Sequence, residues 1–136
     1  MKDDKYFLKV AIDEAQKSKS PHKFGAVVVK DGEIITQDHN HVRELNDPSA
    51  HAEVSAIKKA AKLLENYNID ECVLYASHEP CLMCFSCAAW ANISRIVYAH
   101  PASDSSEDSY EFKGISLQEL AQKLVKPIKV ELIRIK

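Results

Sequence analysis

Apolar residues recur along this chain with two alternating periods, and the changes of period cut it into short elements. From Asp3 to about Lys17, residues Tyr6, Phe7, Val10, Ala11 and Ala15 gather on one side at helical spacing, with Asp3 or Asp4 placed as the cap. Ser20-Pro21 closes that helix. Phe24–Val29 is a valine-rich run, Asp31-Gly32 a turn pair and Glu33–Gln37 a second run with two isoleucines, a pattern that predicts a β-hairpin. His39–Pro48 reads as loop. Helical spacing returns over Ala50–Leu64 through Val54, Ala56, Ile57, Ala60, Ala61 and Leu64. Cys72–Ala76 is a short buried strand, Pro80 opens a third helix that runs to about Ala91, and Arg95–Ala99 is another strand. The polar run Ala102–Ser109 reads as a surface loop. Ser116-Leu-Gln-Glu119 is a capping box for a helix to about Val125, and apolar residues at 128, 130 and 132 mark a last strand.

The predicted order is α-β-β-α-β-α-β-α-β. After the hairpin, strands alternate with helices, and such crossovers join parallel strands with helices on both faces. The expectation is an α/β fold, a three-layer α/β/α sandwich with a five-stranded mixed sheet. It fills a single domain over residues 1–136, since this length suits one core.

Composition narrows the function classes. Hydrophobic residues make up 46% of the chain, enough to build a core. With 18 basic and 20 acidic residues the net charge is −2, which argues against a generally basic nucleic-acid binder and leaves a local basic groove as the route to one. No apolar run is long enough for a membrane-spanning helix, and the opening MKDDKYFLKV has no apolar stretch of the export kind, so a cytoplasmic protein is expected. Four cysteines, two of them spaced Cys-x-x-Cys, then point to metal or redox chemistry rather than to disulfides.

The candidate chemistry lies in His51-Ala52-Glu53 and Pro80-Cys81-Leu82-Met83-Cys84, each at the start of a predicted helix. The pair matches the H-x-E…P-C-x-x-C pattern of zinc deaminases. Zinc takes thiolate and imidazole tetrahedrally; structural sites close with four protein ligands, catalytic sites keep one position open. Cys81 and Cys84, three apart near a helix start, face the same way, where the helix dipole favours thiolate. His51 supplies a third donor. Glu53, two residues past His51, does not share its helix face and is free to lean over the open position. Cys87 is too far along the helix for the same ion to take all three sulfurs, and it reads as a core residue, as does Cys72 in its apolar strand. His22, His39, His41, His78 and His100 have no partner at ligand spacing and read mostly as surface or loop residues.

From Phe24 to about Phe112 the sequence resembles the cytidine/deoxycytidylate deaminase superfamily. Phe24-Gly-Ala-Val-Val-Val, Asp47-Pro-Ser-Ala-His-Ala-Glu53 and Glu79-Pro-Cys-Leu-Met-Cys84 carry the likeness to the branch of guanine, cytosine and tRNA adenosine deaminases. Trp90-Ala, Val97-Tyr-Ala and Asp108-Ser-Tyr-Glu-Phe are most similar to guanine deaminases. The resemblance implies a cytidine deaminase-like fold and a zinc ion on His51, Cys81 and Cys84, with Glu53 as the catalytic proton shuttle. It implies substrate contacts from Asn40, Phe24, Trp90 and the backbone N–H of Ala52, and a homodimer. The expected activity is hydrolytic deamination of a free nucleobase, guanine or a related aminopurine. Deamination of adenosine in tRNA, or of cytosine or another nucleoside, stands as the alternative. A non-catalytic zinc-stabilised binding module is the reading from a different class, and a fourth protein donor on the metal would favour it.

Overall fold

In the computed structural model, which describes residues 2–135, the first helix α1 (Asp4–Ala15) starts on Asp3, whose side chain accepts the Tyr6 N–H at 3.0 Å. The hairpin forms as β1 (Gly25–Lys30) and β2 (Glu33–His39), with Asp31 and Gly32 both at positive φ in the turn. Three more strands follow: β3 (Cys72–His78), β4 (Arg95–His100) and β5 (Lys129–Leu132). The sheet order is β2-β1-β3-β4-β5. β1 runs antiparallel to β2 and β3, while β3, β4 and β5 are parallel, so the sheet is mixed as expected.

Alternation along the strands builds the three layers. Val27, Val29, Tyr75, Val97 and Ala99 pack against Phe7, Leu8 and Ala11 of α1 on one face. Ala26, Val28, Leu74, Ala76, Ile96 and Tyr98 face the other way, onto α3 (Ala52–Leu63), α4 (Leu82–Trp90) and α5 (Leu117–Ala121). Among the described residues no helix is long and apolar enough to cross a membrane.

Three boundaries differ from the sequence reading. A short helix, α2 (Val42–Leu45), lies inside the predicted loop and ends on Asn46 in the left-handed region at φ 49°. Pro80 does not open α4; the N-cap is Cys81 and the helix begins at Leu82. α5 stops at Ala121, short of Val125, whose side chain is fully exposed and gives the helix nothing to pack.

Gly25 marks the closest approach of α1 to the sheet. A Cβ there would stand 2.0 Å from the Ala11 carbonyl oxygen and 2.7 Å from the Ala15 nitrogen, both backbone atoms. Gly25→Ala must therefore push α1 off β1. We expect it to cost about 3 kcal/mol or more, read as a lowered midpoint in denaturant unfolding.

Candidate active site

The two chemical motifs meet because α3 and α4 begin side by side at the end of β3, the central strand of the sheet. His51 is the N-cap of α3 (φ −71°, ψ 157°) and Cys81 the N-cap of α4 (φ −73°, ψ 171°). Each holds extended backbone just before its helix, which turns its side chain across the helix mouth rather than along the barrel. Cys84, in the first turn of α4, joins them. His51 Nδ1 lies 3.6 Å from Cys81 Sγ and 3.5 Å from Cys84 Sγ, and the three donor atoms all lie within 4.8 Å of one another.

Two thiols and one imidazole form a donor set suited to zinc. With ordinary zinc–sulfur and zinc–nitrogen bond lengths, the sulfur–nitrogen edge of a tetrahedral site is about 3.6 Å, and both edges here agree with it. Neither Glu53 nor Cys87 belongs to the set. Three protein donors leave one position open. Without metal, the Cys84 thiol bonded to Cys81 and the adjacent His51 hold the Cys81 thiol down at about 5, against burial. The same contact, with burial, pushes the Cys84 thiol up.

Glu53 is the second residue of α3, 6% exposed, and its Oε1 accepts from Cys84 Sγ at 3.7 Å. Burial pushes its carboxyl up to about 7, and the Cys81 thiolate adds to the shift. A carboxyl poised there passes protons in both directions near neutral pH.

A cavity of about 460 Å³ opens over these groups, within the range of small-molecule sites. His51, Glu53, Cys81, Phe24 and Asn40 line it. Asn40 spends its amide on backbone: Oδ1 accepts the Phe24 N–H at 3.0 Å and Nδ2 donates to the His22 carbonyl at 2.7 Å. Phe24 is held edge-on to the half-buried His78 ring, centroids 4.8 Å apart. Cys84 lies fully buried beneath the wall, and the Ala52 side chain sits in the core, leaving only its backbone to face the site. Trp90 departs from the expectation. It ends α4, is 83% exposed and lies outside the cavity lining.

The residues missed from the sequence come from the end of the Ala102–Ser109 run read as a surface loop and from the two residues after it. Asp108, Ser109, Tyr110 and Glu111 form part of the cavity wall. Tyr110 packs against Val54, Cys81 and Cys84 and donates its hydroxyl to the Glu79 carbonyl at 2.7 Å. The Glu111 carboxylate accepts from the Leu82 and Met83 N–H groups at 3.3 and 3.2 Å, filling the free donors at the start of α4. Glu79, 8% exposed, accepts from the Ala102 and Leu117 N–H groups at 3.0 and 2.9 Å. It thus pins both ends of this wall to the loop that carries Cys81. Glu79→Ala strands two N–H groups and is expected to cost about 3 kcal/mol. It should also speed proteolytic cutting between residues 102 and 116, which limited digestion would show.

Residues 1–100 match the family model described as the cytidine and deoxycytidylate deaminase zinc-binding region. A guanine deaminase of Bacillus subtilis (strain 168) is 49% identical over 96 residues, which is 68% of this chain and 62% of that protein. A tRNA-specific adenosine deaminase of Aquifex aeolicus (strain VF5) is 44% identical over 96 residues, 69% of this chain and 64% of that protein. The matches thus span a little under two thirds of these relatives' own lengths. A solved structure from work on A-to-I editing by tRNA:A34 deaminases superposes with a TM-score of 0.80 at 28% identity, covering 94% of this chain and 92% of that one.

Proposed function

The chain belongs to the cytidine and deoxycytidylate deaminase family, and on that footing we propose that it is a zinc-dependent hydrolytic deaminase of a free nucleobase, with guanine or a related aminopurine as substrate. His51, Cys81 and Cys84 would hold the ion. Zinc bound there supplies a water acidified to a pKa of about 7 and so nucleophilic at neutral pH. The protein's own part falls mainly to Glu53. Its carboxylate takes a proton from the attacking water and gives it to the ring nitrogen beside the amino-bearing carbon. It would then take the second proton from the hydroxyl added at that carbon, which becomes the carbonyl, and deliver it to the departing amine, which leaves as ammonia. Phe24 and Asn40 shape the wall against which the base is oriented, and the backbone N–H groups of Ala52 and Cys81 are donors for the groups at the reacting carbon.

The observation that carries the free-base reading is the charge of the cavity wall. Glu53, Glu79, Asp108 and Glu111 line it, and among the described residues Arg43 is the only lysine or arginine that does. A phosphate backbone is repelled by such a lip. A purine edge bearing adjacent N–H donors is complementary to it, because a carboxylate accepts two such donors side by side. Asp108, 3.8 Å from His22 Nε2, is the carboxylate best placed at the rim. The similarity to the Bacillus subtilis guanine deaminase supports the same reading.

Deamination of adenosine in tRNA is the second reading, supported by the 44% identity to the Aquifex aeolicus relative. Ammonia release from guanine, adenine, cytosine and their nucleosides, run beside an inosine assay on tRNA, separates the two. Turnover of guanine without tRNA editing is expected; editing of tRNA with inert free bases overturns the proposal. We also propose a homodimer, supported by the exposed Trp90 on the α4 flank, which sedimentation of the zinc-loaded chain would test.

A further inference from the structure

β2 is an edge strand, and its last residues carry a polar cluster that the active site does not use. Neighbouring side chains on a strand ordinarily point to opposite faces. Here the strand ends at His39 and the chain bends, with His41 at φ −131° and ψ 24°, so that Asp38, His39 and His41 converge instead. One donor atom from each lies within 4.8 Å of the other two.

The arrangement has an inside and an outside. Inside, Asp38 Oδ1 stands 2.7 Å from His41 Nε2 and 3.8 Å from His39 Nδ1. Glu14 Oε2, from α1, stands 2.7 Å from the same His39 nitrogen. Outside, the second polar atoms of Asp38, Glu14 and His41 are taken by other partners. Lys59 Nζ lies 2.8 Å from Asp38 Oδ2, Gln37 Nε2 donates to Glu14 Oε1 at 2.8 Å, and Glu44 Oε1 lies 3.1 Å from His41 Nδ1. Asp38 and Glu14 are 4% and 5% exposed, so both carboxylates are fixed by packing as well as by bonds. Two imidazole nitrogens and a carboxylate oxygen face one point, and two of the three groups, His41 through Glu44 and Asp38 through Lys59, are oriented by a further partner, as the supporting residues of metal ligands are.

We propose that Asp38, His39 and His41 form a second metal site, for a divalent transition cation such as zinc, with Glu14 beside it as a further oxygen donor. Around such an ion the nitrogen–oxygen edges are about 3 Å in octahedral and 3.4 Å in tetrahedral geometry. The observed 2.7 and 3.8 Å bracket these values, so a metal needs only small side-chain shifts. In the metal-free chain a proton bridges each close imidazole–carboxylate contact, and the ion replaces it. Imidazole and carboxylate without thiolate favour zinc, cobalt, nickel or copper over calcium or magnesium. The site would staple α1 to the end of β2. Asn40, between two of its ligands, lines the active-site cavity, so occupancy would also stiffen that wall.

Titrating the metal-free full chain with cobalt(II) tests the proposal. Two equivalents are expected. One gives the intense near-ultraviolet thiolate charge-transfer band of the His51, Cys81 and Cys84 site, and the other only weak visible bands. His39→Gln and His41→Gln should each weaken the second equivalent at least tenfold and keep the thiolate band, which also reports that the fold is intact. Cys81→Ser should do the reverse, so failure of the first site and failure of the second are distinguishable. A wild-type chain that saturates at one equivalent overturns the proposal, as does a second equivalent that persists in both histidine variants. Histidine nitrogen NMR of the wild-type chain makes the same test with no substitution. Zinc beyond the first equivalent must shift His39 and His41, and shifts confined to His51 overturn the assignment.

Discussion

Glu53→Gln should leave a folded, zinc-loaded protein that turns over its substrate about 10²–10⁴-fold more slowly, with KM little changed. Glutamine matches glutamate in shape, so packing at this buried position survives. What it removes is the ability to accept a proton and return it. Burial already pushes the Glu53 carboxyl up to about 7, which shows that the site holds the charged form at a cost. The neutral amide escapes that cost, so the unfolding temperature should stay level or rise slightly. The shorter Glu53→Asp keeps the titrating group but draws it back by about 1 Å, a displacement that can cost about 10²-fold when proton transfer needs close contact. Ammonia release and zinc content, measured on the same samples, check both variants. Near wild-type turnover in Glu53→Gln would remove this carboxyl from the reaction while leaving the metal site standing.

The fold and the metal site were legible for the same reason: both are written in local spacing. Alternating apolar positions at 26, 28, 74 and 76 against 27, 29, 73 and 75 name the two faces of the sheet, and Asp31-Gly32 names its turn. His51-x-Glu53 and Cys81-x-x-Cys84 each lie within one turn of chain, so their geometry follows once the helix starts are placed. Pro80 misplaces the start of α4 by two residues. The shift matters chemically, because it makes Cys81 a cap with extended backbone, free to meet His51 across the gap. The cavity wall was not legible. Tyr110 to Glu79, Glu111 to Leu82 and Glu79 to Leu117 join residues 29 to 38 apart, through single polar bonds with no periodicity to announce them. A polar run such as Ala102–Ser109 looks the same in sequence whether it faces water or closes a site. Trp90 shows the opposite limit: an aromatic residue beside a motif is drawn to the pocket in the reading, while helical phase puts it on the outer side of α4. The cluster at the end of β2 has no periodicity to announce it, because the groups that meet His39 and Asp38, Glu14 and Lys59, come from other elements. The Asp-His-x-His run at 38–41 was the available signal.

Cys84→Ser should abolish tight zinc binding and bring turnover to background, and the size of the accompanying stability loss tests how the site is built. Cys84 is fully buried and is one of the three groups, with His51 and Cys81, that could hold the ion among the described residues, so its loss leaves two, too few for a tight zinc site. An ion bound a thousandfold above its Kd stabilises the folded state by about 4 kcal/mol. For a domain of this length that corresponds to roughly 10–20 °C in Tm. With each chain given one equivalent of zinc, a strong chelator should therefore lower the Tm of the wild-type chain by that amount and that of Cys84→Ser by much less, since only the Asp38, His39 and His41 cluster then remains to hold an ion. Cys87→Ser supplies the contrast. Cys87 packs at the edge of the same cluster but gives no atom to the donor set, so this variant should keep zinc, the chelator response and most of the activity. If Cys87→Ser instead lost zinc as Cys84→Ser does, the ion would have a fourth protein donor. The position needed for water would then be closed, and the domain would be a zinc-stabilised scaffold rather than a hydrolase.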